Sequence, residues 1–141
     1  MRHWILRLCV VWLSLSLLSA CGGPGTREEG LRIRLYNYSA AVRWNEIEQA
    51  VGFVDPATLR EHPFTEADLA RWRQVQVSRY VEGPQGMDAQ GRVVMTVEIE
   101  LIDRASQSVR SIIDHQRWRY DEPSKTWWLE SGLPSLDANK P

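Results

Sequence analysis

The chain has 141 residues, and its 17 Lys and Arg stand against 18 Asp and Glu for a formal net charge of −1. That balance leaves no basic excess to neutralise phosphates, which excludes a nucleic-acid footprint and a polybasic membrane patch. The length suits a single domain with one apolar core.

The first residues read as an export signal. Arg2, His3 and Arg7 make a basic start, and Leu8 to Leu18 is apolar apart from Ser14 and Ser16. A positive start, an apolar run of about 7–15 residues and a small-residue cleavage site define a secretory signal peptide. A spanning helix needs roughly 20 apolar residues, and here glycines and a proline follow at once. Leu18-Ser19-Ala20-Cys21 resembles the lipobox of bacterial lipoproteins. The resemblance implies diacylglyceryl transfer to the Cys21 sulfur, cleavage after Ala20 and acylation of the new amino group. Two or three acyl chains make a stable anchor, at about 0.8 kcal/mol per buried CH₂. In that family an Asp after the Cys tends to retain the protein in the inner membrane. Gly22 therefore implies the outer membrane, facing the periplasm. An ordinary signal peptide with a coincidental Cys, or an uncleaved anchor, is the alternative. Cleavage would remove Arg2, Arg7 and Cys9, and lipid would occupy Cys21. The mature chain would then carry a charge of about −3 and no disulfide.

Residues 22–30 are rich in breakers and read as a tether to a domain over 31–133. Leu31, Leu35, Tyr38 and Val42 fall on one helical stripe, and Ile47, Ala50, Val51 and Val54 repeat it after a break near Arg43-Trp44-Asn45. Asn45 is the expected N-cap of that second helix. Asp55-Pro56 stops it, and Asp55 caps a short turn. Thr65 and Asp68 form a capping box for a helix that turns Leu69 and Trp72 inward.

From Gln74 the period changes from about 3.6 to 2. Val75 to Val81 is a strand, and residues 83–91 form a long turn. Val93, Met95, Val97, Ile99 and Leu101 line the inner face of the next strand, the most regular in the chain. Residues 108–120 and 126–131 make two further strands, and 134–141 is a loose tail. Helices followed by a four-stranded antiparallel meander make an α+β domain, with the helices on one face of a curved sheet.

Ala50-Val51-Gly52-Phe53-Val54-Asp55-Pro56 at the helix end, then Trp118-Arg119-Tyr120 and Thr126-Trp127-Trp128-Leu129, resemble the nuclear transport factor 2-like superfamily. That resemblance implies a cone-shaped α+β fold over roughly residues 31–133. The superfamily includes isomerases, dehydratases, transport factors and catalytically silent modules, so the fold implies no one activity. No catalytic residue of the superfamily carries over to a position here.

Asp114-His115 is the best acid–base pair by sequence, but neighbours on a strand point to opposite faces. Asp114 alone, turned into a cavity, would have a raised pKa and could serve as a base; a solvent-facing pair is the plainer reading. Glu98 and Glu100 share the face opposite Val97 and Ile99, an exposed one. Arg71, Arg73, Arg79, Arg117 and Arg119 either gather as an anion strip or pair with the abundant carboxylates and stack on Trp118 and Trp128. The tryptophans beyond the signal, Trp44, Trp72, Trp118, Trp127 and Trp128, read as core, with Trp118 and Trp128 candidates for a pocket wall. His62 has no ligand partner at metal spacing, so neither a metal nor a cofactor is expected. Asn37-Tyr38-Ser39 matches a glycosylation sequon but lies within a helix.

These observations favour a lipid-anchored, non-catalytic binding or assembly module. Its partners would be the membrane and either an envelope protein or an apolar ligand, and it could form a homodimer. A small isomerase- or dehydratase-like enzyme using one buried carboxylate is the alternative, and a purely structural lipoprotein is a third.

Overall fold

The computed structural model describes residues 25–137. The export signal, Cys21 and the last four residues lie outside that range. Among the described residues four helices come first: α1 (Arg27–Arg43), α2 (Ile47–Val51), α3 (Pro56–Glu61) and α4 (Glu66–Arg73). Four strands follow: β1 (Val75–Met87), β2 (Val93–Asp103), β3 (Val109–Asp121) and β4 (Thr126–Leu129). They form one open antiparallel sheet in the order β1-β2-β3-β4. The helices cover one face, and the α+β class expected from the change of period is the observed one.

Helix α1 begins before Leu31 and takes in Arg27 to Gly30, which read as tether by composition. The Thr26 hydroxyl accepts from Glu29 N at 3.2 Å, and Glu28 and Glu29 sit at the positive end of the helix. Tertiary contacts hold this turn in place. The Trp127 indole donates to Arg27 O at 2.9 Å, and the Arg27 guanidinium lies 4.2 Å from the Tyr120 ring. The stripe of Leu31, Leu35, Tyr38 and Val42 is buried as its spacing predicts.

Asn45 is not an N-cap. It adopts a left-handed φ of 57°, and Glu46 precedes α2 without a side-chain cap. The Asn45 amide instead reaches β1, donating to Val75 O at 3.0 Å and accepting from Val77 N at 3.0 Å. That pair of bonds is what a neighbouring strand would supply. Arg43 adds a bond to Tyr80 O at 3.3 Å. The free edge of β1 is thus covered over Val75 to Tyr80 by side chains from the α1–α2 corner.

Asp55 caps α3 by accepting from Ala57 N at 2.8 Å, as expected, and it also has a larger role. Its other oxygen takes two bonds from Arg119, at 3.0 and 2.6 Å, and its backbone N donates to Leu129 O. This buried carboxylate joins the helical half to β3 and β4. The capping box of α4 forms in both directions, Thr65 N to Asp68 at 2.9 Å and Asp68 N to Thr65 at 3.2 Å.

Strand β1 runs past Val81 into the expected turn, through irregularities at Val77/Arg79 and Glu82/Gln85. Pro84 has no N–H to donate and falls within the second of these. At Gly83 an added Cβ would lie 2.8 Å from Thr96 O, so β1 and β2 approach there as only glycine allows. The turn shortens to Asp88–Arg92, where Asp88 accepts from Gln90 N and Arg92 N. Strand β4 is shorter than expected, and the chain after it folds back. Leu136 is buried, Arg110 donates to its carbonyl, and Asp137 pairs with Arg71. Residues 134–137 are therefore packed and not a loose tail. A single core unites the α1 stripe, Val54, Trp72, Val97, Ile99, Leu101, Trp118 and Leu129.

Candidate functional site

Alternation along β3 turns Ile112, Asp114, Gln116 and Trp118 inward and Ser111, Ile113, His115 and Arg117 outward. Asp114 and His115 are thereby separated by the sheet. Asp114 enters a buried polar cluster. The Gln116 amide donates to Asp114 at 2.8 Å and to the Tyr80 hydroxyl at 2.9 Å, and its carbonyl accepts from the Trp118 indole at 3.2 Å. This three-way bonding fixes the orientation of the Gln116 amide. Tyr38 stands edge-on to Trp118 at 5.4 Å, and its buried hydroxyl has no partner.

Burial dominates the electrostatics of this cluster. It pushes the Asp114 carboxyl up to about 6, against a smaller opposing effect from the Gln116 bond. It likewise raises the Tyr38 and Tyr80 hydroxyls, with the Asp114 charge acting in the same direction on both. A carboxyl in that range could take or give a proton near neutrality. Asp114, however, lines none of the five surface recesses described for this fold, and Trp118 is wholly buried. Trp128 is placed elsewhere. It is half-buried on the edge strand β4, with the Arg34 guanidinium 5.2 Å from its ring, so Asp114, Trp118 and Trp128 do not form one pocket.

On the outer face the carboxylates of Glu98 and Glu100 share one arginine and two serine donors. Arg79 reaches Glu98 at 3.1 Å and Glu100 at 3.8 Å, while Ser111 and Ser78 donate to the same two residues. His115 meets only Thr96, at 3.3 Å. The five arginines do not gather as a strip. Arg71 pairs with Asp137, Arg73 with Glu48, Arg117 with Glu130, and Arg119 with Asp55 and Asp121. Among the described residues, no cluster of three His, Cys, Asp or Glu side chains could hold a metal ion. No helix among them is long and apolar enough to cross a membrane.

Three of the five recesses make up a groove and a cavity. The groove runs between α1 and β1 as two recesses of about 640 Å³ each, joined through Tyr36, Ser39 and Arg43. On its lip stand Tyr36 and Trp44, 72% and 78% exposed. The cavity, of about 270 Å³, lies between α3, α4 and the segment from Ser131 to Leu136. Sequence reasoning grouped Trp44 with the core and passed over Tyr36. Both could have been flagged, because Tyr36 falls off the stripe of Leu31 and Leu35 and Trp44 falls in the break. Tyr80 and Gln116 left no such signal, since each reads as an ordinary strand residue. No family model, curated protein or solved structure matches the chain.

Proposed function

We propose that the chain is a lipid-anchored, non-catalytic module of a bacterial cell envelope that holds a protein segment in the groove between α1 and β1. The observation that carries this reading is the groove itself, with two exposed aromatic side chains on its lip. Between Glu28 and Trp44 the groove follows α1 for about 24 Å, at 1.5 Å per residue. That length suits a polypeptide better than a small ligand. Along β1 the edge bonds at Val75, Val77 and Tyr80 are taken by Asn45 and Arg43, so side-chain packing and not strand addition would hold the partner over that stretch. Lipid on Cys21 would keep the groove near the membrane, since five residues of chain reach at most roughly 18 Å. The outer membrane facing the periplasm is the proposed address. Helices preceding an antiparallel meander support a nuclear transport factor 2-like cone as the proposed fold family.

A photo-crosslinking residue at position 36 or 44, in the native envelope, is expected to yield a protein adduct that the same residue at His115 does not. Adducts of equal yield at all three positions would remove the groove reading. Converting Cys21→Ala is expected to release the chain from the membrane fraction, and retention would remove the anchor. The second reading, an isomerase- or dehydratase-like enzyme, would use the raised pKa of Asp114 but needs an opening to a carboxyl that lines none of the five recesses. Native mass spectrometry of the envelope-extracted protein decides it: a co-purifying small molecule that is lost in Asp114→Asn supports the enzyme.

A further inference from the structure

The cavity beside α4 has the make-up of a small-ligand site. Val54, Trp72 and Leu136 are buried at its floor, and Leu59, Phe64 and Leu133 wall it with partly buried apolar surface. Sites for drug-sized ligands run from about 300 Å³ upward, so 270 Å³ admits one ring or a short acyl chain. The segment that leaves β4 is tied to α3, because the Thr58 hydroxyl donates to Glu130 O at 3.0 Å.

Charge on the rim selects the ligand's head group. Arg71 lines the cavity, and its carboxylate partner Asp137 belongs to the segment that closes over it. Both side chains are half exposed, at 48% and 57%, and an ion pair so placed contributes little. Asp68 also lines the rim; its Oδ2 is taken up by Thr65 N and the Thr65 hydroxyl, at 2.9 and 2.7 Å, while its charge also falls on Arg71. The remaining titratable group is His62, at the end of α3. A guanidinium above an apolar floor is matched by a carboxylate on an apolar body.

We propose that this cavity binds a small apolar carboxylic acid, its ring or acyl chain on Trp72 and Leu136 and its carboxylate on Arg71 in place of Asp137. The chain's own Asp137 thus occupies the acid subsite when no ligand is bound. The proposal uses no part of the α1–β1 groove and stands or falls apart from it.

Calorimetric titration tests it, with the full chain in lipid nanodiscs, hydrocinnamate as the probe, its neutral amide as the control and empty nanodiscs as the blank. Saturable binding of the acid is expected, with the amide roughly tenfold weaker for want of the charge-assisted bonds. Arg71→Gln should abolish that preference without changing the melting curve. Asp137→Asn should tighten the acid roughly threefold to tenfold by removing the internal competitor, and leave the amide unchanged. Equal binding of acid and amide, no saturation above the blank, or a weaker acid in Asp137→Asn would each overturn the proposal.

Discussion

Along β3 the two faces of the sheet treat polar side chains in opposite ways. Outward, half-buried Glu98 and Glu100 and exposed Arg79, Ser78 and Ser111 are satisfied by one another. Inward, Asp114, Gln116, Tyr80 and Tyr38 are few and sealed, and one hydroxyl goes without a partner. Water screens the first group, so each bond there counts for little. The second group has no such relief, and burial alone moves the Asp114 carboxyl by a chemically significant amount. Position relative to the sheet, more than residue type, sets what a polar group costs.

Truncating the inner face should have the largest effect. Trp118→Ala removes a wholly buried ring that also bonds Gln116, and should cost about 3–5 kcal/mol in urea unfolding. A loss under 1 kcal/mol or so would mean that the core collapses to fill the gap.

Asp114→Asn should act next, and in the opposite direction. The folded carboxyl keeps its proton up to about pH 6, whereas its ordinary value is 3.8. Folding thus gains from protonation at pH 4 and loses that gain as pH rises through 6. Wild type should lose stability across this window, by an amount on the order of 3 kcal/mol. Asp114→Asn should flatten the window and be the more stable form at pH 7.5. A wild-type stability that rises from pH 4 to 6 would show that carboxylates held below their ordinary range by hydrogen bonds, such as Asp68, Asp88, Asp103 and Asp121, dominate instead.

Tyr38→Phe deletes a buried hydroxyl that has no partner and should raise stability by about 1 kcal/mol. A fall of similar size would reveal a bonded internal water. Smallest of all, Arg79→Ala on the outer face should change stability by about 0.2–1 kcal/mol, and less at high salt.

Much of this organisation was legible in the residues. The alternation of Val97, Ile99 and Leu101, the Thr65–Asp68 box and the stripe of Leu31, Leu35, Tyr38 and Val42 are local signals, and local signals survive folding. What escaped depends on distant partners. Arg27 to Gly30, at the end of a breaker-rich stretch, is helical because Trp127 and Tyr120 receive a first turn that Thr26 caps. The segment after Pro134 is packed because Arg71 and Arg110 meet it. The inward turn of Asp114 follows from register with Val97, but its cluster needed Tyr80 from β1 and Tyr38 from α1. Neither contact has a sequence spacing to betray it.

The Asn45 corner has a consequence for how this chain behaves in company. A 13-residue edge strand offers unpaired backbone to any other extended chain, and such edges seed aggregation. Asn45 blunts that hazard with a single side chain, and the post demands two properties at once. Its left-handed backbone favours glycine or asparagine, and its task needs one donor and one acceptor on the same planar group. Glycine meets only the first demand and glutamine only the second. Asparagine meets both, so this position protects the first residues of the β1 edge, Val75 to Val77, and tolerates few substitutions.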